Sequence, residues 1–204
     1  NHPKAQINLG VIYCEGKFVS KDINKAIHYY SLAANQNQPK ALYNLGYIYY
    51  TGDGVEKNME KAIYYFTKAS EFNIPQAQFL LGKIYENGIH TSQDINKSIY
   101  YYSLAADQGH SEAQINLALI YYLGEFIPKD INKAIHYFNL AAEQNNKYGQ
   151  YYLGVLYNAG VFLPHDLNLA IHYFTLASQQ DLVEAQYNLG LIYKRCQDLD
   201  KAHY

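Results

Sequence analysis

"ALYNLGYIYYTGDGVEKNMEKAIYYFTKASEFNIPQ", residues Ala41 to Gln76, carries the pattern that the whole chain repeats. Small residues recur at Ala5, Ala41, Ala77, Ala113, Gly149 and Ala185, each 36 residues after the one before. A period between about 20 and 50 residues marks a solenoid, whose units bury their apolar faces only by stacking on one another. The units are 5–40, 41–76, 77–112, 113–148, 149–184 and a partial 185–204. Residues 1–4 read as the tail of a preceding unit, because Asn1-His2-Pro3-Lys4 matches Asn37-Gln38-Pro39-Lys40.

Two helices face each other inside the quoted stretch. Ala41, Leu45, Ile48 and Tyr49 fall on one side of a 3.6-residue helix, here helix A, before Thr51-Gly52-Asp53-Gly54 breaks it. Asn58 is placed to cap a second helix, helix B, on which Met59, Ala62, Ile63, Phe66, Ala69 and Ser70 form the next apolar stripe. Asn73 then occupies the left-handed position that stops a helix, and Asp181 does so in the fifth unit. In the last unit Arg195-Cys196-Gln197 replaces the long loop. The helix B aspartate there arrives four residues early, at Asp198, and the sequence ends at Tyr204 inside an expected helix B.

Three rows recur with the period. The helix A glycines Gly10, Gly46, Gly82, Gly154 and Gly190, with Ala118 in the fourth unit, each cost about 1 kcal/mol against alanine. A close approach of helix B that excludes anything larger than a methyl group would offset that cost. Leu9, Leu45, Leu81, Leu117, Leu153 and Leu189, with Ile27, Ile63, Ile99, Ile135 and Ile171 and Ala33, Ala69, Ala105, Ala141 and Ala177, form interlocking core ladders. The aromatic pairs Tyr29-Tyr30, Tyr65-Phe66, Tyr101-Tyr102, Tyr137-Phe138 and Tyr173-Phe174 also belong to packing, and a buried tyrosine needs a partner for its hydroxyl. Ser98 stands where other units have alanine, and its hydroxyl can bond back to the preceding turn.

Composition narrows the function. Only 17% of residues are charged, so Asn, Gln, Ser and the hydroxyls of 24 tyrosines carry much of the surface. The net charge of −2 and the scattered lysines lack the basic footprint of a nucleic-acid binder. No apolar run approaches the ~20 residues of a membrane span. Cys14 and Cys196 lie in the first and last units of an extended rod, too far apart for a disulfide. Free thiols fit a reducing, cytoplasmic compartment or secretion into a host cell better than a disulfide-forming one.

The second unit resembles the Sel1-like repeat, a longer-looped relative of the tetratricopeptide repeat. It matches through Leu45-Gly46, Tyr49, Gly52-Asp53-Gly54-Val55, Lys61-Ala62, Tyr65 and Ala69, and the match extends over essentially the whole chain. Departures fall in the loop, where Phe18, His90, Phe126 and Phe162 replace the second glycine, and at Asn58, which stands for an aspartate. The resemblance implies an all-α fold, a right-handed α-α superhelical solenoid of helix-turn-helix repeats with the A helices on the concave side. It also implies an adaptor or scaffold role, as in signalling, protein quality control or bacterial interaction with host cells.

Carrying the tetratricopeptide groove onto helix A selects residues two, six and nine positions after each unit start. These are Ile7, Val11 and Cys14; Tyr43, Tyr47 and Tyr50; Phe79, Lys83 and Glu86; Ile115, Leu119 and Tyr122; Tyr151, Val155 and Asn158; and Tyr187, Leu191 and Lys194. The lining suits a peptide or partner helix with apolar anchors. The clamp asparagine that grips a carboxylate in some tetratricopeptide proteins is replaced by Val11, Tyr47, Lys83, Leu119, Val155 and Leu191, which does not support such a clamp in the groove. The superhelix itself, or self-association with neighbouring copies, could instead cover this face.

His28, His136 and His172 share one helix B position, but helices stacked about 10 Å apart cannot share a zinc. His90, His110 and His165 sit in loops without a ligand set. No nucleophile, base and orienter come together, and no phosphate cradle is present, so neither catalysis, metal nor cofactor is expected. The reading is a non-catalytic protein-binding scaffold. Its rivals are a regulatory part of an enzyme whose catalytic portion lies elsewhere, and a structural spacer.

Overall fold

The computed structural model describes residues 2–88 and 91–202, which form eleven α-helices and no strand. They are α1 (Pro3–Glu15), α2 (Ile23–Ala34), α3 (Pro39–Thr51), α4 (Met59–Ser70), α5 (Pro75–Asn87), α6 (Ile95–Ala106), α7 (Ser111–Leu123), α8 (Ile131–Glu143), α9 (Lys147–Ala159), α10 (Leu167–Ser178) and α11 (Val183–Ala202). Odd-numbered helices are the A helices. The chain divides into two bodies, residues 1–110 and 111–204. In the first, α1–α2, α3–α4 and α5–α6 pair as hairpins, joined through α2–α3 and α4–α5. In the second, α7–α8 and α9–α10 pair, joined through α8–α9, and α11 packs on α10.

Local chemistry sets the helix ends. Proline opens α1, α3 and α5, where its missing N–H is no loss. Asp22, Asn58, Asp94, Asp130 and Asp166 each accept a bond of 2.9–3.1 Å from the backbone N–H three residues on, satisfying a free amide of the first turn of helix B. Asn37, Asn73, Asn145 and Asp181 adopt φ of 54–60°, the left-handed conformation that short polar side chains tolerate best after glycine.

The last unit departs from its expected layout. α11 runs unbroken from Val183 to Ala202, so the expected loop at Arg195-Cys196-Gln197 and the helix start at Asp198 are both interior to one helix. Helices α1, α3, α5 and α9 end on left-handed Gly16, Gly52, Gly88 and Gly160. Lys194-Arg195-Cys196-Gln197 supplies no such stop, and all four residues sustain a helix.

The core is a row of repeated contacts. Leu45, Leu81, Leu117 and Leu153 are fully buried, as are Ala33, Ala69, Ala105, Ala141 and Ala177. Two ladders are less buried than the sequence implied. Leu9 is 36% exposed, since α1 has no described helix on its outer side, and Leu189 is half-buried against the Phe174 cluster. Ile27, Ile63, Ile99, Ile135 and Ile171 are also half-buried, placed at the margin of the core.

The consecutive aromatics of helix B divide their labour. Tyr30, Phe66, Tyr102, Phe138 and Phe174 point inward and are at most 2% exposed. Tyr29, Tyr65, Tyr101, Tyr137 and Tyr173 lie flat against Tyr13, Tyr49, Tyr85, Tyr121 and Tyr157 of the paired helix A, with ring centres 5.7–6.4 Å apart and planes within 5–6° of parallel. Lys25, Lys61, Lys97 and Lys133 place their ammonium groups 4.8–5.1 Å from the helix A rings, a cation–π contact. The buried hydroxyls do find partners. Tyr102 donates to Glu86 Oε2 at 2.7 Å, and Tyr30 shares a hydrogen bond with the Asn44 side chain.

The inward aromatics explain the helix A glycines, with one amendment. A Cβ on Gly10, Gly46, Gly82 or Gly154 would lie 2.5–2.8 Å from the ring of Tyr30, Phe66, Tyr102 or Phe174. The excluded partner is therefore a ring, not the helix B backbone, and even a methyl group intrudes where the ring is so placed. Ala118 is accommodated in the same cluster as Phe138.

Ser98 corrects a second expectation. Its hydroxyl is fully buried and has no hydrogen-bond partner among the described residues, so it does not bond back to the preceding turn. Ser98→Ala, which restores the residue found at Ala26, Ala62, Ala134 and Ala170, is expected to stabilise the protein by about 1 kcal/mol. A melting temperature unchanged or lowered by this substitution would contradict the assignment.

Candidate partner-binding site

The face selected on helix A combines open and filled positions. In the first body, Tyr43 and Tyr50 stand on either side of Phe66, each with ring centres 6.0 Å from it. Burial pushes the Tyr43 phenol above its ordinary pKa. Tyr47 lies 6.1 Å from Tyr43 and is 47% exposed. Phe79 packs on Tyr102 and stacks on His110 at 4.6 Å, with the Lys83 ammonium 5.7 Å from its ring. Glu86 is held by the Tyr102 hydroxyl. Val11 and Cys14 are half-buried, and burial raises the Cys14 thiol pKa.

In the second body Tyr122 meets Phe138 edge-on and lies 6.2 Å from Tyr152, while Tyr151 packs on Phe174. Leu119 and Val155 are half-buried. Tyr187 is 66% and Leu191 47% exposed, and Asn158 and Lys194 are exposed beside them. Ile7 and Ile115 do not belong to the open face: both are buried, in the clusters of Tyr30 and Phe138. Isoleucine at that position is buried, whereas tyrosine there is half-buried at Tyr43 and Tyr151 and exposed at Tyr187.

The helix B ring thus occupies the middle of the helix A face in each of the five hairpins. What it leaves open is an aromatic rim, Tyr43, Tyr47 and Tyr50 in one body and Tyr151 in the other; Tyr187 and Leu191 are open on α11, which has no described helix B against it. His28, His136 and His172 are exposed and lie edge-on to Tyr29, Tyr137 and Tyr173. His90 lies outside the described residues. Among the described residues no three His, Cys, Asp or Glu side chains are grouped to hold a metal ion. No described helix is long and apolar enough to cross a membrane.

Two hollows escaped the sequence reading. One, of about 440 Å³, lies between α9 and α11 and is lined by Asn158, His165, Leu167, Asn188, Leu191, Ile192, Arg195 and Cys196. It unites two residues of the expected groove, Asn158 and Leu191, with Arg195, which holds the last helical place before the usual glycine stop. The other, of about 490 Å³, lies between α2, α3 and α4, with Leu42, Tyr64, Lys68, Glu71 and Phe72 in its wall. Its sequence signal is a paired exchange, since four other units carry glutamine at the positions of both Leu42 and Phe72.

Antiparallel hairpins of fixed length, stacked on one another within each body, define an α-solenoid repeat protein, and the aromatic face on one helix of a hairpin defines its candidate contact surface. The chain belongs to the Sel1 repeat family, whose model matches residues 3–38, 39–71, 75–110, 111–146, 147–182 and 183–195. It is 34% identical to a Sel1 repeat protein from Oxalobacter formigenes, over 95% of this chain and 79% of that one, with a TM-score of 0.85. It is 31% identical to c5321, a protective antigen of uropathogenic Escherichia coli with the same repeat fold, over 95% of this chain and 50% of that one, with a TM-score of 0.60. The immunity protein Pa5087 of Pseudomonas aeruginosa, 24% identical over 91% of this chain and 71% of that one, shares the fold with a TM-score of 0.55. A comparison with curated proteins finds no match. Sel1 repeat proteins generally mediate contacts between proteins and are typically non-catalytic scaffolds.

Proposed function

We propose that the chain is a non-catalytic scaffold whose helix A faces bind an extended peptide or a helix of a partner protein. The observation that supports this is the aromatic rim left open beside the helix B rings, above all the half-exposed Tyr47, together with Tyr187 and Leu191 open on α11. Rings of this kind bury large apolar areas while their hydroxyls stay wet, the usual composition of an interface hot spot.

Affinity capture followed by mass spectrometry, with a groove variant as control, tests the reading. Tyr47→Ala with Tyr187→Ala and Leu191→Ala removes exposed side chains and is expected to leave the thermal melt within a few degrees of the parent, while reducing capture about tenfold or more. A partner retained at full strength by this variant would move the site away from helix A.

A further inference from the structure

The hollow between α9 and α11 has a chemistry of its own. Its volume of about 440 Å³ falls in the ordinary range of small-ligand sites, about 300–1,000 Å³. Its polar groups among the described residues are a guanidinium, an imidazole and two side-chain amides, from Arg195, His165, Asn158 and Asn188, with no described Asp or Glu in the wall. Beside them lie Leu167, Leu191 and Ile192. A planar guanidinium with amide donors around it matches a carboxylate, which accepts two parallel bonds from the arginine fork.

We propose that this hollow binds the C-terminal residue of a partner polypeptide, its free carboxylate against Arg195 and the two asparagine amides and its apolar side chain against Leu191 and Ile192; this deepens the proposed helix A scaffold reading and rests on it. The pairing of donors with an apolar wall selects the source of the carboxylate. A terminal leucine, isoleucine or valine carries an acid and an apolar side chain on one residue. An internal aspartate or glutamate spends its side chain on the acid and has none left for the apolar wall. The combination also belongs to this end of the array. Thirty-six residues earlier, the positions of Asn158, Arg195 and Cys196 hold Tyr122, Ala159 and Gly160, and the position of Asn158 in the third unit holds Glu86, which would repel an anion. The bound terminus would fix the direction in which a partner runs along helix A.

The test uses the full chain, labelled with nitrogen-15, and two small probes, N-acetyl-leucine and N-acetyl-leucinamide. Saturable shifts of the Asn158 and Asn188 side-chain amides and of Arg195 Nε–H are expected with the acid, and the amide is expected to bind about tenfold more weakly. An acetylated, amidated Ala-Glu-Ala peptide, which presents only an internal acid, is expected to be as weak as the amide. Arg195→Gln should reduce acid binding about tenfold and leave the melt unchanged, since Arg195 is exposed. Alkylation of Cys196 in the same wall should slow with the acid and not with the amide, while Cys14 is unaffected. Equal binding of acid and amide, shifts that spare both asparagines, or an internal acid as good as the terminal one would overturn the proposal. A partner whose capture falls with the Tyr47, Tyr187 and Leu191 variant but not with Arg195→Gln would leave the scaffold reading standing and remove this site alone.

Discussion

Gly82→Leu is expected to lower the stability of the protein by about 3 kcal/mol, enough to move a melting transition of a chain of this length by roughly 6–12 °C. A Cβ on Gly82 would lie 2.5 Å and 2.6 Å from Cδ1 and Cε1 of Tyr102, and leucine adds three further carbons in the same direction. The ring cannot step aside cheaply. It is fully buried, and its hydroxyl is fixed on Glu86 at 2.7 Å, so retreat forfeits both packing and a hydrogen bond. The gain from removing a helical glycine, about 1 kcal/mol, is smaller than these losses. Gly190 provides the control within the same molecule. No described atom lies within 4 Å of a Cβ placed there, so Gly190→Ala should raise stability by about 0.5–1 kcal/mol through helix propensity alone. Thermal melts of the two variants should shift in opposite directions. If both leave the transition where it was, ring exclusion is not why glycine occupies this row.

The second large effect concerns a polar pair at the hairpin ends, one member of which is buried. Gln78 is fully buried and its Oε1 accepts from Gln108 Nε2 at 2.7 Å. The same bond joins Gln36 to Gln6, Gln144 to Gln114 and Gln180 to Gln150, each at 2.8 Å. In the second hairpin both places are apolar, as Leu42 and Phe72. Gln108→Phe alone strips the buried Gln78 carbonyl of its partner and is expected to cost about 1–3 kcal/mol. Adding Gln78→Leu recreates the arrangement of the second hairpin and should return most of that loss. The double-mutant cycle then gives a coupling of about 1–2 kcal/mol. Strictly additive effects in chemical denaturation would show that the two glutamines act independently.

Much of the architecture could be read from the chain because a fixed period constrains many residues together. The 36-residue step, the capping side chains Asp22 and Asn58, the stop residues Asn73 and Asp181, and the fully buried leucines and alanines all follow from local rules applied once and repeated. Other features depend on which neighbour is present, and periodicity is blind to that. Leu9 follows the leucine rule, but no described helix covers the outer side of α1. Tyr65 and Phe66 are adjacent and both aromatic, so only the docking angle of α4 on α3 decides which turns inward. Gln78 looks like surface until Gln108, 30 residues away, is seen to face it. The candidate site divides in the same way: Tyr47, Tyr187 and Leu191 are open as the helix A register implied, while Ile7 and Ile115 drop into the core. The hollow at Arg195 was hidden for a different reason, since it joins residues of α9, of the turn before α10 and of α11 that no period relates.

The flat tyrosine pairs have an optical consequence. The chain contains no tryptophan, so tyrosines dominate its near-ultraviolet absorption and emission. Each of the five hairpins holds one parallel pair of rings, and the pair separates only when that hairpin opens. Near-ultraviolet dichroism of the unmodified protein therefore tracks how many hairpins remain closed, and where repeats open one after another this signal falls in steps rather than all at once.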